Sequence, residues 1–171
     1  VTKTLSQHFV DYAKILHEKF LKSTNSFLVE IGCNDGVLLR PLNELGVKTL
    51  GVEPAANIAK IAQSHGVEVA NDFFSEKIAE QIAKDKGRAD VIPASNVFAH
   101  IDDLDDVMRG IKKLLKDDGV FVFEVHYLLN LIKEMQYDMV YHEHMNYYSL
   151  LPLMEFFKKF DMEIFDAERI Q

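Results

Sequence analysis

Between Tyr141 and Tyr148 the chain reads Tyr-His-Glu-His-Met-Asn-Tyr-Tyr, which concentrates two histidines, a carboxylate and three phenols in one short segment. Histidine takes or gives a proton near neutral pH, a neighbouring carboxylate can orient it and raise its basicity, and a phenol can donate to a developing oxyanion. These are the parts of a site that removes a proton beside a carbonyl and holds the resulting enolate. More titratable groups follow two apolar runs upstream: His100 at the end of Ser95-Asn96-Val97-Phe98-Ala99-His100, then Glu124 and His126. A single histidine is more often a satisfied hydrogen-bonding group than a catalyst, so the cluster carries the signal rather than any member. Metal binding competes through His142, Glu143 and His144. The H-E-x-x-H spacing that puts two histidines on one helical face is absent, and no metal is expected.

A second constellation precedes this one. The run Glu30-Ile31-Gly32-Cys33-Asn34-Asp35-Gly36 follows a short apolar segment and leads into a helical one, the place where an open α/β sheet holds a ligand against backbone N–H groups. A dinucleotide fingerprint would need glycines at positions 34 and 37, where Asn34 and Val37 stand, so NAD is disfavoured. Glu53, in Gly51-Val52-Glu53-Pro54, follows Gly32 by about 20 residues, the interval at which an acid meets the ribose hydroxyls of an adenosine. Asn71-Asp72-Phe73-Phe74 offers an adenine-sized ring polar contacts and an apolar wall. Each feature alone is ordinary turn chemistry. In succession, with an acid closing the second strand, they point to a bound ligand. Cys33 reads as a small packing residue without a catalytic role.

The elements that must position these groups alternate short apolar runs with amphipathic stretches, the pattern of a parallel sheet with right-handed crossovers. Strands are expected at Phe27–Ile31, Thr49–Val52, Val67–Ala70, Asp90–Ala94, Val120–Glu124 and Glu163–Asp166, six in all. Helices are expected at Ser6–Lys22, Val37–Leu45, Ala56–His65, Ser75–Lys84, Leu104–Leu115 and Leu151–Phe160, with Asp102–Asp106 as an acidic helix start. In the first of these helices Phe9, Tyr12, Ala13, Leu16 and Phe20 form the apolar face. Pro93 lacks a backbone donor, so its strand should stop nearby or tolerate a missing ladder bond.

With 171 residues, 48% of them hydrophobic, the chain can bury one substantial core, and a single α/β domain is expected over residues 1–171. A formal net charge of −8 without a basic cluster argues against nucleic acid, and no apolar run is long enough for a membrane span. The single cysteine cannot form an internal disulfide, which fits a reducing, cytoplasmic setting.

Taken in order, E-I-G-C-N-D-G, G-V-E-P-A, N-D-F-F, S-N-V-F-A-H and Y-H-E-H resemble the sugar C-methyltransferase family, whose C-3 methyltransferases act on dTDP-4-keto-6-deoxy sugars. The resemblance spans nearly the whole chain. It implies a class I methyltransferase, Rossmann-like fold, S-adenosylmethionine as cofactor, a nucleotide-sugar substrate and proton abstraction beside a ketone. By motif, Gly32, Asn34 and Gly36 would flank the methionine part, Glu53 and Pro54 the ribose, Asp72 and Phe73 the adenine, and Asn96 the region of the sulfonium. His144 would be the general base, with Tyr141, Glu143 and His100 placing substrate or stabilising the enolate. Family members carry a zinc-binding domain before this region and a nucleotide-sugar-binding domain after it, and neither is found here. The last strand of the full sheet is also missing. A fragment of a longer protein is therefore expected. The alternatives are a nicotinamide-dependent nucleotide-sugar oxidoreductase or epimerase, which the missing glycines disfavour, and a non-catalytic cofactor-binding module.

Overall fold

A computed structural model describes residues 3–170. Five strands form one parallel sheet in the order β3-β2-β1-β4-β5: β1 Phe27–Ile31, β2 Lys48–Val52, β3 Val69–Ala70, β4 Ala89–Ser95 and β5 Leu115–Glu124. All five residues of β1 are buried, as a strand covered on both faces requires. One face packs on α1 (Lys3–Phe20), α2 (Leu39–Glu44) and α3 (Ala56–Ser64), through Ala13, Leu16, Leu39, Leu42 and Ala62 against Leu28 and Val91. The other packs on α4 (Glu76–Lys86), α5 (Leu104–Leu114) and α7 (Leu150–Lys158), through Ile82, Met108, Ile111 and Phe157 against Val29, Ile31 and Ile92. The result is the expected three-layer Rossmann-like arrangement.

Local chemistry sets the helix ends. Ser75 caps α4 by accepting from the Ile78 N–H, and Asp103 caps α5 by accepting from the Asp106 N–H, with Asp105 and Asp106 in the first turn. The acidic run thus starts a helix, as its composition predicts.

The sixth expected strand is absent. Glu163–Asp166 has no ladder partner among the described residues. Its apolar residues are covered by packing instead. Met162 and Ile164 lie on the core, Phe165 meets the Phe20 ring edge-on at 6.5 Å, and Asp166 pairs with Lys19 at 3.6 Å. Two further boundaries differ. The third strand keeps only Val69–Ala70 of the expected four residues, because Val67 turns its side chain down towards Gly36 and α3. The strand expected from Val120 begins at Leu115, which pairs with Ala89 before a bulge that takes up the polar Lys116–Gly119 stretch. Pro93 sits inside β4, opposite Val122. The ladder to β5 runs on through Ser95 and Glu124, while the register to β1 is at Leu28 and Val91, so the missing donor is tolerated on the β1 side.

After β5 come α6 (Leu128–Lys133) and a 3-10 turn at Tyr137–Met139, where the sequence shows an amphipathic stretch. A parallel bridge between Tyr127 and Tyr148 and the Leu128 N–H bond to the Tyr148 carbonyl (2.7 Å) close this excursion into a loop.

Candidate functional site

The strand order reverses between β1 and β4, which leaves a crevice at the C-terminal ends of the strands. The turn after β1 is built for close approach. Gly32 (φ 67°) and Cys33 both donate their N–H groups to the Val52 carbonyl, at 2.8 and 3.2 Å. A Cβ on Gly32 would lie 2.5 Å from a Val97 methyl, and one on Gly36 (φ 78°) 2.7 Å from a Val67 methyl, so only glycine fits both positions. Asn34 is left-handed (φ 51°), and its side-chain oxygen accepts from the Asp35 N–H at 2.8 Å.

Glu53 is buried, and each carboxylate oxygen takes a backbone donor: Oε2 the Asn34 N–H at 3.1 Å, Oε1 the Ala55 N–H at 2.9 Å. The carboxylate therefore ties the β1 turn to the start of α3. Lone pairs remain on both oxygens for further donors. Asn71 is engaged by the backbone, since its amide donates to the Glu53 and Pro54 carbonyls at 2.7 and 3.0 Å. Pro54 and Asp72 are exposed at the rim, Asp72 accepting from the Phe73 N–H at 2.8 Å. The Phe73 ring is 74% exposed beside them, whereas Phe74 belongs to the core. Asn96 is also left-handed (φ 56°). Its N–H donates to the Glu124 carbonyl at 2.9 Å and its amide to Glu124 Oε1 at 3.2 Å.

Strand periodicity then puts polar groups in a row. Leu28, Val91 and Val122 face α1, so Glu30, Ser95 and Glu124 lie on that same face at the strand ends. Glu30 is only 3% exposed and its Oε2 has no partner. Burial, and then the charges of Asp35 and Glu53, raise its carboxyl well above the ordinary range. Burial first, then Glu30 and Glu53, also raises the Cys33 thiol, which leaves it protonated and inert. Over this row α1 presents His8, whose Nε2 lies 3.1 Å from Glu124 Oε2, and Tyr12, whose hydroxyl is buried without a partner. Sequence reasoning missed Glu30 as a site residue and counted Tyr12 as core. The available signal was an acid inside an otherwise apolar strand.

The second cluster forms around His144, which is 8% exposed. Its Nδ1 lies 2.9 Å from the Met139 carbonyl, so that nitrogen carries the hydrogen. Nε2 is left as an acceptor, and the Tyr141 hydroxyl donates to it at 3.2 Å. The His144 ring centroid is 4.3 Å from Tyr141, 4.9 Å from His100 and 5.5 Å from His126. His100 donates from Nδ1 to the Glu143 carbonyl at 2.8 Å. Burial, and then the neighbouring His144, lower the pKa of His126. The structure thus gathers His144, Tyr141 and His100, and adds His126. It does not bring in the Glu143 carboxylate, which is exposed and faces the 90%-exposed His142.

The cluster is anchored beside the strand ends. Met145 and Asn146 donate their N–H groups to the Ala99 carbonyl at 3.0 and 3.3 Å, and the Tyr148 hydroxyl donates to the Phe98 carbonyl at 2.8 Å. Both anchors fall on the 3-10 turn Phe98–His100, which Val97 joins to Asn96. Two surface recesses, one beside β3 and α4 and one beside α2, include none of the site residues named from sequence. Among the described residues no three His, Cys, Asp or Glu side chains are arranged to hold a metal ion, and no helix is long and apolar enough to cross a membrane.

Residues 5–166 match the model of the methyltransferase domain family. The chain is 34% identical over 164 residues to the C-methyltransferase NovU of Streptomyces niveus, covering 96% of this chain and 39% of that protein. It is 33% identical over 96 residues to a ubiquinone biosynthesis O-methyltransferase of Methylobacterium nodulans, covering 55% of this chain and 38% of that one. The chain thus spans less than half the length of these curated relatives. Among solved structures, a SAM-dependent methyltransferase from Archaeoglobus fulgidus superposes with a TM-score of 0.67 at 17% identity, over 87% of this chain and 73% of that one. With a five-stranded parallel sheet, a glycine-bearing turn after β1 and an acid after β2, the chain has the Rossmann-like fold of S-adenosylmethionine-dependent methyltransferases and belongs to the methyltransferase domain family.

Proposed function

We propose that this chain binds S-adenosylmethionine at the strand ends and, as part of a longer protein, methylates a carbon of a nucleotide-linked keto-deoxysugar after a proton is removed beside the carbonyl. The residues fit the cofactor. Glycines with positive φ let the backbone approach, and Glu53 keeps lone pairs for ribose hydroxyls. Buried side-chain oxygens without partners at Glu30, Tyr12 and Ser95 suit a polar, cationic ligand. Gly32, Asn34 and Gly36 flank its methionine part, Pro54 borders the ribose, Asp72 and Phe73 border the adenine, and Asn96 lies towards the sulfonium.

The observation that carries the carbon-methylation reading is the His144–Tyr141 pair, a buried imidazole acceptor with a phenol aligned on it at 3.2 Å. A ketone entering here draws the phenol to its oxygen and frees Nε2 to take the proton from the adjacent carbon. His100 lies against the His144 ring, and the Glu143 backbone holds His100 in place. Bound S-adenosylmethionine would supply an electrophilic methyl group for the enolate carbon that this pair generates. A base paired with an oxyanion donor is more than a sugar hydroxyl needs in order to be methylated. The similarity to a protein named a C-methyltransferase, 34% identical over 96% of this chain, supports the same reading.

The test is to incubate the chain with dTDP-4-keto-6-deoxyglucose in deuterium oxide, with and without S-adenosylmethionine. The expected result is deuterium at the carbon beside the ketone without cofactor, and a methyl group there with it. Both should be lost in His144→Asn. A methyl group on oxygen, or deuterium uptake unchanged in the variant, would overturn the proposal.

A further inference from the structure

Methylation at carbon leaves a proton behind. When His144 Nε2 takes the proton beside the ketone, the C–H electron pair passes into the enolate and then into the new carbon–carbon bond. One proton therefore stays on the imidazole after each turnover, and it has to reach solvent before the base can act again. His144 offers little way out by itself. The residue is 8% exposed, and its Nδ1 is held by the Met139 carbonyl, so Nε2 must both take the proton and release it. Two further imidazoles lie against the His144 ring, and they differ in what their nitrogens are free to do. His100 spends Nδ1 on the Glu143 carbonyl at 2.8 Å, so a proton arriving at its Nε2 can leave only from that same atom. His126 is exposed, and among the described residues neither of its ring nitrogens has a hydrogen-bond partner. An imidazole that accepts on one nitrogen and donates from the other moves a proton across its own width.

The topology sets His126 in reach of the base. β5 ends at Glu124, and the Tyr127–Tyr148 bridge ties the chain just past His126 to the chain just past His144. The two ring centroids are 5.5 Å apart, a span that a proton crosses directly or through one water. The charged and titratable groups that act on His126 are His144, His100 and, from β5, Glu124. Burial, and then His144, favour the neutral ring, which is the form that accepts a proton. The Glu124 carboxylate works in the opposite sense and favours the cation that follows.

We propose that His126 is the proton exit of the site: it receives the abstracted proton from His144 on one ring nitrogen and gives up a proton to solvent from the other. The inference rests on the carbon-methylation reading above, and His126 acts through His144 rather than on the substrate. Two rates separate these roles. Deuterium wash-in to dTDP-4-keto-6-deoxyglucose in deuterium oxide, without cofactor, requires the abstracted proton to leave and a deuteron to enter. Methyl transfer in a single turnover with S-adenosylmethionine requires only that the proton be taken. Both are measured at low buffer concentration in the unaltered chain, His126→Ala and His144→Asn, with and without added imidazole. His126→Ala should lower wash-in about tenfold or more, with the single-turnover rate held within about twofold, and imidazole should restore wash-in. His144→Asn should lose both rates. A parallel fall of both rates in His126→Ala without rescue would make its role structural, and unchanged wash-in would move the exit to His100 or Tyr141; either result overturns the proposal. Absence of wash-in from the unaltered chain would overturn the carbon-methylation reading itself.

Discussion

His144 Nε2 and the Tyr141 hydroxyl face each other at 3.2 Å, and the other ring nitrogen of His144 is committed to the Met139 carbonyl. The imidazole therefore has one lone pair to offer, already aimed at a proton donor. Because Tyr141 is 41% exposed and His144 is buried, a ligand entering from solvent would meet the phenol first. His144→Asn should lower the rate of methyl transfer on the order of 10²–10⁴-fold while cofactor affinity stays within about twofold. Tyr141→Phe should also lower the rate, since it removes the proposed oxyanion donor but leaves the proposed base. Single-turnover kinetics paired with cofactor titration separates these effects. Parallel loss of binding and turnover in His144→Asn would mean the residue is structural.

One substitution can distinguish the backbone contacts of Glu53 from the ribose contact proposed for it. Its carboxylate holds the Asn34 and Ala55 N–H groups, and its spare lone pairs face the expected ribose. Glu53→Gln keeps one carbonyl acceptor and should retain the fold. The loss of charge-assisted bonds to hydroxyls should still weaken S-adenosylmethionine binding on the order of tenfold to a hundredfold. Isothermal titration with an NAD control reads this directly. Undiminished affinity would remove Glu53 from the ribose site.

Most of the fold was legible because apolar runs and amphipathic stretches alternate at lengths that only a parallel sheet satisfies. The tight glycine turn after β1 and the buried acid after β2 were legible as positions, because each stands at a strand end and at a fixed interval. Legibility failed where a residue's role depends on what packs across from it. Glu163–Asp166 carries the apolar pair Ile164-Phe165 and reads as a short strand, but only a neighbouring ladder makes a strand, and here packing on the core and on Phe20 takes its place. Tyr12 sits at a core position of an amphipathic helix, and only the register of β1 and β4 beneath it shows its hydroxyl meeting Glu30 and Ser95. Glu143 was expected to place substrate or stabilise the enolate; what its sequence position did not show is that the turn exposes its carboxylate and brings its backbone carbonyl to His100.

Gly32 combines a left-handed backbone with a Cβ position 2.5 Å from Val97. Gly32→Ala should therefore destabilise by about 2–4 kcal/mol, from the conformational penalty plus overpacking. In a Val97→Ala background the overpacking is relieved and only the conformational part should remain. A double-mutant cycle on thermal or urea unfolding measures the difference. Additive effects would show that the Val97 contact is not what excludes a side chain.

His126 carries a pKa lowered by burial and by His144, so the folded chain resists a proton that the unfolded chain accepts near pH 6.5. Its contribution to stability is then present above that pH and is lost as the solution is acidified below it. His126→Gln should flatten the fall in unfolding temperature between about pH 6.5 and 5. An unchanged acid limb would assign that sensitivity to other groups.

Glu30 works in the opposite sense. Its carboxyl is raised by burial and by Asp35 and Glu53, so the folded chain keeps a proton that the unfolded chain releases in the ordinary carboxylate range. The ligand-free protein should lose stability from this group as pH climbs from about 4.5 towards the raised value. Glu30→Gln removes that loss, so the variant's advantage in unfolding temperature should be small at pH 5 and larger at pH 8, at about 2–4 °C per kcal/mol for a chain of this size. Cofactor should reverse the order, because a cation seated beside Glu30 favours the ionised carboxylate that the variant lacks. Thermal melts at both pH values, with and without S-adenosylhomocysteine, decide it. An advantage that does not grow with pH, or that survives saturating ligand unchanged, would place the charge at this end of the sheet on some other residue.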